Sequence, residues 1–119
     1  MEKMTRPPCL QSMTTKIKVG CGSLYVTISV HEGEIFEVFA VLGKAGGCMD
    51  ANMEAITRCI TTGLRYGIPV EEYIDQLSEI KCPNPVLFPK KSKVLSCADA
   101  IASVLSGKTW LSLQGGEDK

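Results

Sequence analysis

The sequence predicts an α+β domain in which a small antiparallel sheet, a hairpin plus a short strand, is covered by about three helices. Two observations predict it. Apolar residues alternate with a period of two up to Leu42, whereas helical spacing dominates after Cys48. Strands that precede helices in this order are typical of α+β folds, with the helices on one face of the sheet. A chain of 119 residues is long enough for one such domain with a single core.

Three strands are predicted. The clearest covers residues 24–30, where every second residue is apolar and the residues between are Tyr, Thr and Ser, as in a half-buried strand. Residues 31–34 form a turn because Gly33 supplies the positive φ of a tight reversal. Residues 35–42 complete an antiparallel hairpin, and a shorter strand over residues 15–19 precedes it.

The first predicted helix follows a glycine-rich loop, residues 43–48, with Asp50 or Asn52 as its cap. Apolar residues at helical spacing define its buried face: Met49, Met53, Ile56, Ile60 and Leu64. Gly67 suits the left-handed position after a helix end, and Pro69 marks the stop.

Two more helices are predicted. The second has a buried face of Val70, Tyr73, Ile74, Leu77 and Ile80. Residues 82–85 then interrupt regular structure, because two prolines lack N–H donors and fix φ. After a basic stretch at residues 90–93, Ser96 opens the third helix and stands three residues before Asp99, the spacing of a capping box.

The predicted organisation is an N-terminal arm (1–13), a single domain (14–106) and a loosely ordered tail (107–119) whose Trp110 is available for docking.

The 13 basic residues balance the 13 acidic ones, so the chain lacks the basic excess of a general nucleic-acid or membrane-surface binder. No apolar run approaches the ~20 residues of a membrane span, and no signal-peptide core is present, so a cytoplasmic location is predicted. The six cysteines are then expected to be reduced thiols, metal ligands or redox groups.

Cys21, Cys48 and Cys97 share a local context, because each lies beside a glycine turn or at a helix start. A helix N-terminus favours a thiolate, and thiolates bind metals. If the hairpin and the two helix starts meet at one end of the sheet, the three sulfurs converge. The fourth ligand would then be Cys82, Asp50 or water, and zinc is the candidate metal. The alternative is that they are small residues packed near turns.

The glycine-rich loop is the candidate anion site, since it runs from a strand into a helix, where backbone N–H groups and a lysine cradle phosphates. It does not match the P-loop signature, and a sharp strand-to-helix turn is the alternative role of its glycines. Arg58 and Arg65 are seven residues apart on the first helix and so lie on the same side of it, where they could bind an anion. The alternative is that this side of the helix is simply exposed to solvent. The predicted ligand-binding set is Arg6, Gly43, Lys44, Gly46, Gly47, Arg58 and Arg65.

Several motifs, in this order, closely resemble the TSCPD domain. They are TRPP at residues 5–8, GCGSLYVTI at 20–28, EVFA at 37–40, LGKAGGC at 42–48, IKCPNP at 80–85 and SCADAIA at 96–102. That domain occurs near the C-terminus of adenosylcobalamin-dependent (class II) ribonucleotide reductases and as free-standing small proteins. One departure is Ala98, where the family has proline, and it leaves the helix start intact. The reductase barrel, radical cysteines and cobalamin site have no room in this chain, so the resemblance does not imply a reductase.

A fainter resemblance links Cys21, Cys48 and Cys97 to the order of three ligand cysteines in iron–sulfur assembly scaffolds, which also place a hairpin before helices. The scaffolds carry a histidine where this chain has Ser96. The likeness raises the expectation of a metal or iron–sulfur site.

The sequence therefore predicts a non-catalytic binding module. His31 is the only histidine and lies in a turn, so no Cys–His or Ser–His–Asp set is expected. The expected ligand is a nucleotide-type anion, such as a nucleotide signal sequestered in a phage or mobile element; docking on a nucleotide-metabolising partner is also open. The alternatives are a metal protein, with zinc or an iron–sulfur cluster on Cys21, Cys48 and Cys97, and a structural oligomerisation domain. A homo-oligomer is expected, with neither nucleic acid nor membrane as partner.

Overall fold

The computed structural model describes residues 2–43 and 47–107. Its elements, in chain order, are β1 (Gln11–Val19), β2 (Gly22–His31), β3 (Glu34–Leu42), α1 (Gly47–Arg65), α2 (Val70–Leu77), a 3-10 turn (Lys90–Ser92) and α3 (Cys97–Leu105). A three-stranded antiparallel sheet thus precedes three helices, and the predicted α+β class is confirmed. The predicted tail and residues 44–46 lie outside the described residues.

The strands are ordered β1-β2-β3, each paired with its neighbour in sequence. Leu24 of β2 stands between Ile17 of β1 and Leu42 of β3, so apolar residues of all three strands share one face. The predicted strand over residues 15–19 is confirmed as part of β1, but β1 is nine residues long and begins earlier, at Gln11. Pairing with β2 extends back to Gln11. Residues 11–14 are mostly polar, so an alternation of apolar residues does not identify them as part of a strand.

The core lies between this face and the helices, with α1 packed along β3 and α3 packed on β1, β2 and α2. The buried cluster consists of Val19, Leu24, Val26, Ile28, Val38, Ala40, Leu42, Met53, Ile60, Leu64, Cys97, Ala100, Ile101, Val104 and Leu105. Thr61 of α1 adds a polar clamp, because its hydroxyl donates to the carbonyl of Val38 and accepts from the same residue's N–H, each at 3.0 Å. The predicted apolar stripe of α1 is confirmed.

The helix ends differ in part from prediction. α1 begins at Gly47, so Asp50 lies inside it, and its Oδ1 accepts a hydrogen bond from the N–H of Leu42 at 3.0 Å. The predicted cap by Asp50 or Asn52 is therefore wrong; Asp50 instead ties α1 to the end of β3. α2 ends at Leu77, which leaves Ile80 exposed rather than buried.

Only one of the two hydrogen bonds of the predicted capping box forms at the start of α3. The Ser96 hydroxyl accepts from the N–H of Asp99 at 3.0 Å. The Asp99 carboxylate does not reciprocate, since it accepts from the N–H groups of Leu95 and Glu79, each at 3.0 Å. Asp99 thereby joins the end of α2 to the start of α3. Among the described residues, no helix combines the length and apolar character that crossing a membrane requires.

Candidate functional site

A cavity of about 400 Å³ lies at the β1 edge of the sheet. We call it the lysine groove. Its lining comprises Lys16, Ile17 and Lys18 of β1, Val86, Phe88, Pro89, Lys91, Ser92, Lys93 and Val94 of the following loop, and Ser103 of α3. Four lysines from two separate segments thus face one cavity.

The loop that forms one wall of the lysine groove is held closed by its own backbone. Val86 and Val94 exchange two N–H to carbonyl hydrogen bonds of 2.8 Å. Between them, the 3-10 turn at Lys90–Ser92 brings the chain back, so that Phe88 and Lys91 stand on the same small loop. The opposite wall is β1, where Lys16 and Lys18 point to the same side because side chains alternate along a strand.

The lysine groove is electrostatically positive. Its four lysines are exposed, and every ion pair among the described residues uses an arginine or His31. No described carboxylate therefore forms an ion pair with these ammonium groups. The Lys16 Nζ lies 6.0 Å from the centre of the Tyr25 ring, a cation–π distance that leaves its charge in place.

Sequence reasoning missed the lysine groove as a site. Two signals were present: the basic stretch at residues 90–93 and the alternate lysines of β1. The sequence does not show that these two segments, more than seventy positions apart, lie side by side in the fold. That juxtaposition depends on how the loop after α2 returns to the edge of the sheet.

The predicted ligand-binding arginines are engaged in ion pairs. Arg6 Nε and Nη2 lie 3.0 Å from the two carboxylate oxygens of Glu37, and Arg65 Nη2 lies 3.1 Å from Glu37 Oε1. Arg58 pairs with Glu54 at 3.1 Å on the exposed side of α1. The structure thus brings Arg6 and Arg65 together, around a carboxylate rather than an open pocket.

The glycines of the predicted set lie elsewhere. Gly43 follows β3 and donates its N–H to the carbonyl of Ser23 at 2.8 Å, and Gly47 begins α1. Gly47 and Arg65 are at opposite ends of this 19-residue helix, about 27 Å apart. Lys44 and Gly46 lie outside the described residues. The predicted set is therefore not assembled into one site by the residues described, and its role in ligand binding stays a prediction.

Three of the four predicted metal ligands share a second cavity of about 300 Å³, which we call the thiol cavity. Cys21, Cys82 and Cys97 line it together with apolar residues that include Met49, Met53, Ile56 and Ile80. Cys48 is exposed at the start of α1 and is not part of this lining. Among the described residues, no group of three or more His, Cys, Asp or Glu side chains is arranged to hold a metal ion.

Asn84 fastens the Cys82 loop beside Cys21. Its side-chain amide donates to the carbonyl of Gly20 at 2.9 Å, and its backbone N–H points at the Cys82 sulfur at 3.4 Å. Gly20 is required at this contact, because a Cβ there would overlap the Asn84 carbonyl. The structure thus brings Cys21 and Cys97 together with Cys82, whereas Cys48, the third member of the predicted trio, does not line the cavity, so metal binding by these cysteines stays a prediction.

The expected thiolate at Cys97 is not favoured. Burial, followed by the nearby Cys21 and Cys82, raises the pKa of the Cys97 thiol above its ordinary value of 9.0. Cys97 packs into the core with 6% of its surface exposed, so a charged sulfur there would be largely removed from water. At this position the alternative reading, a small buried residue near a turn, describes the side chain correctly.

The fold is a small α+β domain, with the lysine groove at one edge of the sheet and the thiol cavity at one end. The TSCPD domain model matches residues 2–107, and the chain belongs to the TSCPD domain family. The predicted family is confirmed. No solved structure matches the chain significantly.

The curated relatives that the chain matches include vitamin B12-dependent ribonucleotide reductases. The protein from Agrobacterium fabrum is 33% identical over 81 residues, which cover 67% of this chain and 6% of the relative. The protein from Streptantibioticus cattleyicolor is 29% identical over 70 residues, 58% of this chain and 12% of the relative. The chain therefore corresponds to a short part of these enzymes.

Proposed function

We propose that this chain is a non-catalytic binding module that holds a nucleotide-type anion in the lysine groove. The observation that carries the proposal is the convergence of Lys16, Lys18, Lys91 and Lys93 on one cavity without a described carboxylate partner. The relatives are ribonucleotide reductases, which supports a nucleotide as the class of anion.

Electrostatics favours an anion with more than one charge. The backbones of Lys16 and Lys18 are about 7 Å apart. The ammonium groups of lysines that line one cavity repel one another, and more strongly where protein displaces solvent than in bulk water. A phosphate between the two walls of the groove replaces this repulsion with charge-assisted hydrogen bonds. Because the proposed module has no reaction of its own, it acts by withholding its ligand, as in the sequestration of a nucleotide signal.

Isothermal titration with nucleoside mono-, di- and triphosphates and cyclic nucleotides tests the proposal. The double variant Lys16→Gln/Lys91→Gln removes one charge from each wall and should weaken binding about tenfold or more. Lys81→Gln is the control, since Lys81 is exposed and does not line the groove. Absence of binding by the wild type, or equal affinities in the double variant and the control, contradicts the proposal.

Metal binding is the second candidate, and the shared thiol cavity of Cys21, Cys82 and Cys97 favours it. The three sulfurs would have to approach one another, because the described side chains form no preassembled metal group. Elemental analysis of protein purified without added metal should then give about one zinc per chain, lost in Cys21→Ser and retained in Cys59→Ser. A visible spectrum distinguishes an iron–sulfur cluster from zinc. Homo-oligomerisation and docking on a nucleotide-metabolising partner stay predictions.

A further inference from the structure

Phe88 is a large apolar side chain that the fold leaves in solvent. It is 84% exposed, whereas the next most exposed large apolar side chain among the described residues, Val41, is 55% exposed. Burying an aromatic ring is strongly favourable, so a ring held out in water is not there to stabilise the core. Phe88 is nonetheless placed by its surroundings, because Val86 and Val94 close the loop that carries it.

The position of Phe88 matters because the ring borders the lysine groove. The same loop supplies Lys91 and Lys93, and β1 supplies Lys16 and Lys18 across the cavity. An apolar aromatic surface therefore stands beside a cluster of cations. A ligand that uses both must combine a flat, weakly polar ring with a multiply charged anionic group.

Nucleotides have this combination. Their bases stack on aromatic side chains, an interaction that tolerates any base because every base has a π-face. Their phosphates are the usual partners of lysine ammonium groups. Inorganic polyphosphates carry the charge but have no ring to stack on Phe88, and sugar phosphates have no aromatic ring.

Given the proposed function, on which this step rests, we infer that Phe88 is the specificity-determining residue of the groove. The nucleobase stacks on the Phe88 ring, and the phosphates lie between the lysines of the two walls. The groove therefore selects nucleotides over phosphates without a base. Because stacking carries no hydrogen-bond readout, purine nucleotides, with the larger rings, bind more tightly than pyrimidine nucleotides.

The test compares ADP, pyrophosphate and adenosine by isothermal titration in the full chain. ADP should bind the wild type about tenfold more tightly than pyrophosphate does, and adenosine should bind weakly. Phe88→Leu keeps an apolar side chain but removes the π-face, so it should weaken ADP binding about tenfold and change pyrophosphate binding less than twofold. Phe39→Leu is the matched control, because Phe39 is also an exposed aromatic residue but lies outside the groove.

The possible failures are distinguishable. If Lys16→Gln/Lys91→Gln abolishes ADP binding while Phe88→Leu leaves it unchanged, the inference about Phe88 is wrong and the proposed function stands. If neither ADP nor pyrophosphate binds the wild type, both are wrong. If a single-stranded oligonucleotide binds much more tightly than ADP, the ligand is a nucleic acid and the inference of a free nucleotide is overturned.

Discussion

Arg6, in the arm before the sheet, and Glu37, in the edge strand β3, form a two-point ion pair with both N–O distances at 3.0 Å. Glu37 is 1% exposed, and Arg65 at the end of α1 reaches the same carboxylate at 3.1 Å. One buried acid thus joins three parts of the chain. The N–H of Met4, which donates to the Arg65 carbonyl at 2.9 Å, strengthens the same junction.

The first prediction is that Glu37→Gln destabilises the domain by about 1–3 kcal/mol, because both arginines keep some contact with water. Removing one partner of a buried ion pair leaves the other charge without compensation, and here the partly buried Arg65 loses its partner. Urea unfolding at pH 7 measures the change. Glu34→Gln is the control, since Glu34 is an exposed acid on the same strand and should change stability by less than about 0.5 kcal/mol. Equal effects of the two substitutions would show that the junction contributes little.

The second prediction concerns pH. Burial alone would raise the pKa of Glu37, but hydrogen bonds from Arg6 and Arg65 outweigh it and hold the pKa below the ordinary value of 4.5. A carboxyl whose folded-state pKa is depressed contributes stability above its unfolded pKa and loses that contribution as the pH falls through the folded-state value. The difference in unfolding free energy between wild type and Glu37→Gln should therefore be constant from pH 7 to about 5 and shrink below pH 4.5. A difference that grew on acidification would contradict this.

The strands and the core face of α1 were predictable because they depend on local periodicity. Leu24, Val26 and Ile28 alternate along β2, and Met53, Ile60 and Leu64 recur at helical spacing, so each pattern reports which side faces the core. The extension of β1 back to Gln11 was not predictable in this way. Its polar side chains are stabilised by pairing with β2, which hydrophobicity does not record.

Long-range partners explain what the sequence could not specify about the sites. Asp50 was predicted as a helix cap, but its carboxylate accepts a hydrogen bond from Leu42 of β3. Arg65 was predicted as a ligand-binding cation, but its guanidinium donates to Glu37 of β3. The lysine groove depends on the return of the loop after α2 to β1, a tertiary feature without a local signature. Burial likewise raises the pKa of Cys97 and favours its thiol form, whereas its place at a helix start predicts a thiolate.

The third prediction tests how the Cys82 loop is held. Gly20→Ala should destabilise the domain by about 1–3 kcal/mol, because its Cβ would overlap the Asn84 carbonyl and displace the loop. Asn84→Ala should cost less, since it removes one side-chain hydrogen bond and introduces no overlap. Thermal unfolding and the rate of alkylation at Cys97 report the two effects. A Gly20→Ala protein as stable as the wild type would mean that the loop can shift without cost.

The fourth prediction concerns the order in which the cysteines react. Cys9, Cys21, Cys48 and Cys59 are exposed, whereas Cys97 is buried and its pKa is raised by burial and by the neighbouring Cys21 and Cys82. Since the thiolate is the nucleophile, iodoacetamide at pH 8 should modify Cys97 last, and its rate should still be rising above pH 9. The double variant Cys21→Ser/Cys82→Ser removes both neighbouring thiols that raise the Cys97 pKa, so peptide mass mapping should show the pH profile of Cys97 modification moving to lower pH. The control variant Cys59→Ser should leave that profile unchanged. Early modification of Cys97, with a rate that levels off below pH 8, would instead support a thiolate stabilised by the N-terminus of α3.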